Sequence, residues 1–295
     1  MRLVLLIFLF CLNAYFAKDV HSQQSNAQQA SSQAFNTVEG RGKFSVEEIR
    51  KKGLVANLYL PNRPTLAPVV IILGGSSGGM HTEYGEFLAK NGIAALSLAY
   101  FRFDSLPDSL DNIPIEYVHN AINYLSSVNA VDSKRLGLWG ASRGSELAFL
   151  TATTNKIVKS LVVTTPSKVA WHGARSRNAW TLKGQGVASL SFDKTSNKPI
   201  FERAEEALKD SVKVKKAQFA FEHVNGPILL VSAEKDRIWP SYQMSLDIED
   251  YLKSKAFQYQ VKHISYPTGH SFDTDTRLVI KAEILHHFKA SFAVQ

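Results

Sequence analysis

The run Val69-Val70-Ile71-Ile72-Leu73 has no polar position and stops at Gly74-Gly75. A strand with one face in water alternates apolar and polar residues, whereas a run without alternation must be covered on both faces. A sheet sandwiched between helices supplies that cover, so this short run constrains the fold more than any other feature. Ile93-Ala94-Ala95-Leu96-Ser97-Leu98 repeats the character after a helical stretch at Tyr84–Lys90, and Leu54–Leu60 alternates like a half-exposed strand stopping at Pro61. Tyr117, Ala121, Ile122, Tyr124 and Leu125 stand at helical spacing within Ile115–Ser126. A strand Arg135–Trp139, a helix Arg143–Thr151 and strands Ser160–Val163 and Pro227–Ser232 follow. A helix Tyr242–Lys253, a strand near Gln260–Ile264 and a closing helix Asp275–Phe292 complete the pattern. Regular alternation of strand and helix predicts an α/β fold with a mostly parallel central sheet and helices on both faces.

Residues 167–222 break the rhythm with Trp171, Trp180 and a charged helix-like segment around Phe201–Lys216. A long excursion between two core strands suits a lid-like insertion over a site. Tryptophan is costly to leave in solvent, so Trp171 and Trp180, with the neighbouring His172, are the candidates in the insertion for contact with substrate.

At the N-terminus one positive charge, Arg2, precedes the apolar run Leu3–Leu12, which has the length of a signal-peptide core and is too short to span a bilayer. The expected organisation is a signal peptide over 1–22, a flexible polar tether over 23–40 and a folded domain over 41–295. The protein is then exported, periplasmic or secreted, and meets a membrane only through its leader. Cys11 is the only cysteine, so removal of the leader leaves no thiol, which suits an oxidising compartment and excludes a cysteine nucleophile. Lys and Arg number 34 against 26 Asp and Glu, a formal charge of +8, and such a balance favours anionic surfaces or substrates. No Cys/His spacing matches a zinc module and no Lys/Arg block forms a nucleic-acid arm, so neither a metal nor a nucleic acid is expected.

The sharpest local signal is Gly140-Ala141-Ser142-Arg143-Gly144, set between the apolar strand Leu136–Trp139 and the helix that begins near Ser145. The turn from strand to helix is tight enough to strain the central residue, and its neighbours must lack bulk. Ser142 then projects its hydroxyl above the sheet as a nucleophile. The next backbone N–H, from Arg143, lies at a helix N-terminus and can bind a developing oxyanion.

A serine hydroxyl needs a base. Among nine histidines, His270 lies in the loop Tyr266-Pro267-Thr268-Gly269-His270, after the last strand, whereas His286 and His287 fall inside the final helix. The acid that orients the base is expected after the strand Leu229–Ser232, where Asp236 is preferred to Glu234 because Glu234 still belongs to the strand end. The loop Gly74-Gly75-Ser76-Ser77-Gly78-Gly79 supplies the second oxyanion donor, the N–H of Ser76 with Ser77 next; the Lys-Ser/Thr ending of a phosphate-binding P-loop is missing. The chain order Ser142, Asp236, His270 is that of α/β-hydrolases. This chemistry needs no cofactor.

Several blocks go beyond that elbow. Leu73–Tyr84, Leu98–Phe101 through Pro107, Ile115–Leu125, Gly137–Leu150, Trp171–Gly184, Gly226–Ser241 and Tyr266–His270 together resemble the catalytic domain of the acyl-CoA thioesterase and bile acid-CoA:amino acid N-acyltransferase family. The resemblance implies the α/β-hydrolase fold and a Ser142–Asp236–His270 triad. The transferases of that family use cysteine, so Ser142 implies hydrolysis; Arg143 stands where lysine is common. Thioesterase members carry an immunoglobulin-like domain ahead of this one, and the stretch before Leu54 is too short for it. Coenzyme A thioesters are cytosolic, so for an exported chain the expected substrate is a small-molecule ester or thioester rather than acyl-CoA by name. Peptidase or dienelactone-hydrolase-like activity uses the same machinery, and a catalytically silent binding protein on the same fold is the expectation from another class.

Overall fold

The computed structural model describes residues 43–175, 177–193 and 195–293. The expected leader over 1–22 and the whole of the tether over 23–40 lie outside the described residues. The main sheet is built from β1 (Phe44–Ile49), β2 (Val55–Pro61), β3 (Ala67–Leu73), β4 (Ala94–Ala99), β6 (Val131–Ala141), β7 (Val158–Thr164), β10 (Ile228–Ala233) and β11 (Val261–Tyr266). Its order is β1-β2-β4-β3-β6-β7-β10-β11. β1 and β2 pair antiparallel, as do β2 and β4, and every later pairing is parallel. The helices are α1 (Thr82–Lys90), α2 (Glu116–Leu125), α3 (Arg143–Thr154), α4 (Ile200–Leu208), α5 (Ser211–Ala217), α6 (Ser241–Ser254) and α7 (Thr274–Ala293).

The run Val69–Leu73 is covered on both faces. Val69, Ile71 and Leu73 point into a core shared with Ile122 of α2, Leu147 of α3 and Ile248 of α6. Val70 and Ile72 point the other way, against Leu88 of α1 and Ile284 and Phe288 of α7. Successive side chains of a strand face opposite ways, and here both directions end in packed hydrocarbon.

Two expectations change, and one strand was not foreseen. Leu54–Leu60 is not half-exposed: Leu54, Val55, Ala56, Leu58 and Tyr59 are buried, because β1 and β4 flank the strand and α1 covers Tyr59. β1 itself leaves little trace in the sequence, since an edge strand with Ser45, Val46, Glu47 and Glu48 exposed has one poor face to bury. The charged segment Phe201–Lys216 is two helices, α4 and α5, broken where Asp210 caps α5 by accepting from the Lys213 amide at 3.0 Å.

The excursion after β7 is ordered structure. β8 (Trp180–Leu182) pairs with β5 (Ile113–Pro114) and with β9 (Gln185–Gly186) in a small second sheet. Val169, Trp171, Leu190, Ala204 and Ala217 form a separate core with Trp239 and Met244.

Candidate active site

β6 ends at Ala141 and α3 begins at Arg143, leaving Ser142 alone in the turn with φ 52° and ψ −119°. A side chain at positive φ costs on the order of 1–3 kcal/mol and persists only where the surroundings enforce it. Here they do. A Cβ at Gly140 would lie 2.3 Å from the carbonyl oxygen of Gly144, and one at Gly144 would lie 2.3 Å from the carbonyl oxygens of both Leu73 and Gly74. The first turn of α3 is thus wedged between the ends of β6 and β3. The Ser142 amide donates to Thr164 O at 2.9 Å, which fixes the turn from β7 as well.

Ser142 and His270 are brought together from opposite parts of the chain. Ser142 Oγ donates to His270 Nε2 at 2.8 Å, and His270 Nδ1–H donates to Asp236 Oδ2 at 2.8 Å, in the tautomer that satisfies both contacts. Asp236 is 4% exposed, and its other oxygen accepts from the amides of Ile238 at 2.9 Å and Trp239 at 3.3 Å. Glu234, the alternative acid, is exposed and accepts from Ser265 Oγ at 2.7 Å instead. Trp239 closes one side of the base: its ring meets His270 edge-on with centroids 5.2 Å apart, and its indole N–H donates to Thr165 O at 3.2 Å. Sequence reasoning missed Trp239; the available signal was a large apolar residue just past the polar segment Glu234–Arg237.

The glycine-rich loop lies beside the hydroxyl. Gly75 to Gly78 form a tight turn closed by Gly78 N–H donating to Gly75 O at 3.2 Å, with Ser76 and Ser77 at its exposed tip. A Cβ on Gly75 would sit 3.2 Å from Ser142 Cβ and 3.7 Å from its Oγ, so backbone alone fits against that side chain. Among the described residues neither the Ser76 amide nor the Arg143 amide has a backbone partner. The loop is anchored from below by Tyr100, whose buried hydroxyl donates to Gly74 O at 2.5 Å. Burial raises the Tyr100 phenol well above its ordinary range, so it remains a donor.

The side chain of Arg143 turns away from the hydroxyl. Nη1 lies 2.9 Å from Glu146 Oε1, and Nη2 donates to Trp171 O at 2.9 Å and His172 O at 3.2 Å. Trp171 and Trp180 are completely buried. The Trp171 indole donates to Ser167 Oγ at 2.9 Å and the Trp180 indole to Glu146 Oε2 at 2.8 Å. Neither indole therefore presents a surface to a ligand in this structure, which departs from the expectation that they contact substrate. Their sequence signal was sound about solvent and silent about what replaces it. His172 is half-buried, with Nδ1 3.2 Å from Leu190 O. Glu146 was missed because a lone acid on a helix reads as surface; its spacing of three from Arg143 was the available hint.

A hydroxyl hydrogen-bonded to an imidazole, an imidazole held by a buried carboxylate and two unengaged amides beside them can together activate oxygen and take up negative charge.

Residues 113–275 match the family model described as BAAT / Acyl-CoA thioester hydrolase C terminal. Over 223 residues the chain is 30% identical to acyl-coenzyme A thioesterase 2, mitochondrial, of Mus musculus, covering 75% of this chain and 49% of that protein. It thus spans about half the length of the curated relatives it matches. Among solved structures, an esterase of Pyrobaculum calidifontis superposes with a TM-score of 0.59 at 16% identity, over 92% of this chain and 92% of that one. Esterase B of Lactobacillus rhamnosis superposes with a TM-score of 0.58 at 19% identity, over 96% of this chain and 97% of that one. The fold is that of the α/β-hydrolases. On the match across more than half its length, the chain belongs to the BAAT / acyl-CoA thioester hydrolase C-terminal family.

Proposed function

We propose that the protein is an exported serine hydrolase that cleaves carboxylic esters or thioesters through an acyl-enzyme. The observation that carries this reading is the unbroken chain Asp236–His270–Ser142, with both links at 2.8 Å. His270 removes the Ser142 proton as Oγ attacks the acyl carbonyl. The carbonyl oxygen becomes an oxyanion held by the amides of Ser76 and Arg143. His270 then hands its proton to the departing alcohol or thiol, which leaves Ser142 acylated. Water, deprotonated by the same imidazole, attacks the acyl-enzyme; the imidazolium returns that proton to Ser142 Oγ as the acyl C–Oγ bond breaks and the acid leaves. Asp236 keeps the ring in the productive tautomer throughout and stabilises the imidazolium. The esterases of the same fold and the thioesterases of the same family support this class of substrate. Export is supported by the run Leu3–Leu12 behind Arg2.

Ser142→Ala should lower turnover by about 10⁴–10⁶ and abolish labelling by a fluorophosphonate probe. A panel of p-nitrophenyl esters, acyl-CoA and short peptides distinguishes ester and thioester from peptide hydrolysis. Ser142→Ala retaining near-normal hydrolysis refutes the nucleophile, and an intact Met1 on protein confined to the cytosol refutes export.

A further inference from the structure

Glu146 takes no part in the hydrogen-bond chain of the site, yet it is fully buried beside it. Oε2 accepts from the Trp180 indole at 2.8 Å and the Trp171 amide at 3.1 Å, while Oε1 holds Arg143 Nη1 at 2.9 Å. Arg143 in turn donates to the carbonyls of Trp171 and His172. A buried ion pair is weak evidence for stability, because desolvation offsets the attraction. What distinguishes this one is geometry: beside their ion pair, the side-chain hydrogen bonds of both residues among the described residues go to the insertion. The insertion residue they grip most, Trp171, stacks on Phe192 with centroids 4.5 Å apart and on Trp239 at 6.3 Å, and Trp239 meets His270. Through Trp239 that stack reaches the His270 ring, so the first turn of α3 sets where the insertion lies against the site.

We propose that Glu146 is a positioning residue that sets acyl-group selectivity by locking the insertion to the nucleophile helix through Arg143. The proposal rests on Ser142 being the nucleophile. Burial pushes the Glu146 carboxyl up to about 7 against the pull of Arg143, so the lock loosens as the pH falls through that range. The titratable groups around it are Arg143 on its own helix, Tyr100 after β4, whose phenol stays neutral, and His172 in the insertion, whose ring is turned to Leu190 O. Trp171 and Trp180 do not titrate.

The test uses the full chain and the ratio of kcat/KM for p-nitrophenyl decanoate to that for p-nitrophenyl acetate. Both substrates meet the same free enzyme, so ionisation of the His270 base cancels in the ratio. A misplacement of about 1 Å can cost about 100-fold, so Glu146→Gln should lower the ratio by about tenfold or more, and Glu146→Asp, which keeps the charge, should retain more of it. The wild-type ratio should fall as the pH drops through about 7, and that of Glu146→Gln should stay flat. An unchanged ratio in Glu146→Gln, whether both rates persist or both fall together, overturns the proposal. If Glu146→Gln shows no cooperative melt, the wild-type profile decides, and a flat ratio from about pH 5.5 to about 8.5 overturns it. Turnover surviving Ser142→Ala would instead sink the nucleophile reading, a result separable from either ratio.

Discussion

Gly144→Ala tests the wedge on which the site is built. The added Cβ would lie 2.3 Å from Leu73 O and Gly74 O and 2.8 Å from Leu73 C. Ordinary carbon contacts begin near 3.5 Å, so β3 and α3 must separate by about 1 Å. All three obstructing atoms are backbone, and no rotamer change relieves them. Overpacking of this kind costs about 3 kcal/mol, and a domain of this size melts about 2 °C lower per kcal/mol, so a fall of about 6 °C is expected. The displaced strand end leads directly into the Gly75–Gly78 turn, so the Ser76 amide moves relative to Ser142 and turnover should drop about 100-fold. Gly184→Ala is the control. That glycine has φ +74° and nothing within 4 Å of its added Cβ, so the change costs about 1 kcal/mol of backbone strain and leaves the site alone. Differential scanning fluorimetry and p-nitrophenyl ester turnover read both variants. If Gly144→Ala melts and turns over like Gly184→Ala, the elbow does not depend on this close approach.

Two further outcomes follow from groups outside the hydrogen-bond chain of the site. Burial lowers His287 from 6.5 to about 4, and its Nε2 has no partner among the described residues. The unfolded chain takes up this proton below 6.5 and the folded chain only near 4, so up to about 3 kcal/mol of stability is lost as the pH falls across that window. The melting temperature of His287→Leu should therefore gain on the wild type as the pH falls from 6.5 to 4, and a constant difference refutes the assignment. Tyr100→Phe removes the donor to Gly74 O; it should cost about 1 kcal/mol and slow turnover about tenfold, and wild-type turnover would show that the loop needs no such anchor.

Much of the fold was legible because its signals are local. An apolar run without alternation announces a strand covered on both faces, and Gly140-x-Ser142-x-Gly144 between strand and helix announces a strained turn, whatever the rest of the chain does. The preference for Asp236 rests on Glu234 ending the strand, but β10 stops at Ala233 and Glu234 already lies in the turn; burial, not strand position, separates the two. Leu54–Leu60 misled because its pattern is judged against water, while its actual neighbours are β1, β4 and α1. The indoles of Trp171 and Trp180 were legible as buried, and their partners were not: Ser167 is near in sequence, but Glu146 is reached only when the insertion folds back on α3.

The chain by itself determined the order of strands and helices, the strained serine between them and the kinds of side chain available for chemistry, since these depend on residues a few positions apart. The tertiary structure alone decided that His270 meets Ser142, that Trp239 closes its flank and that a buried acid ties the insertion to α3. Those contacts join residues separated by tens to more than a hundred positions, and their geometry is set by how β7, β10 and β11 line up in one sheet, which no local pattern encodes.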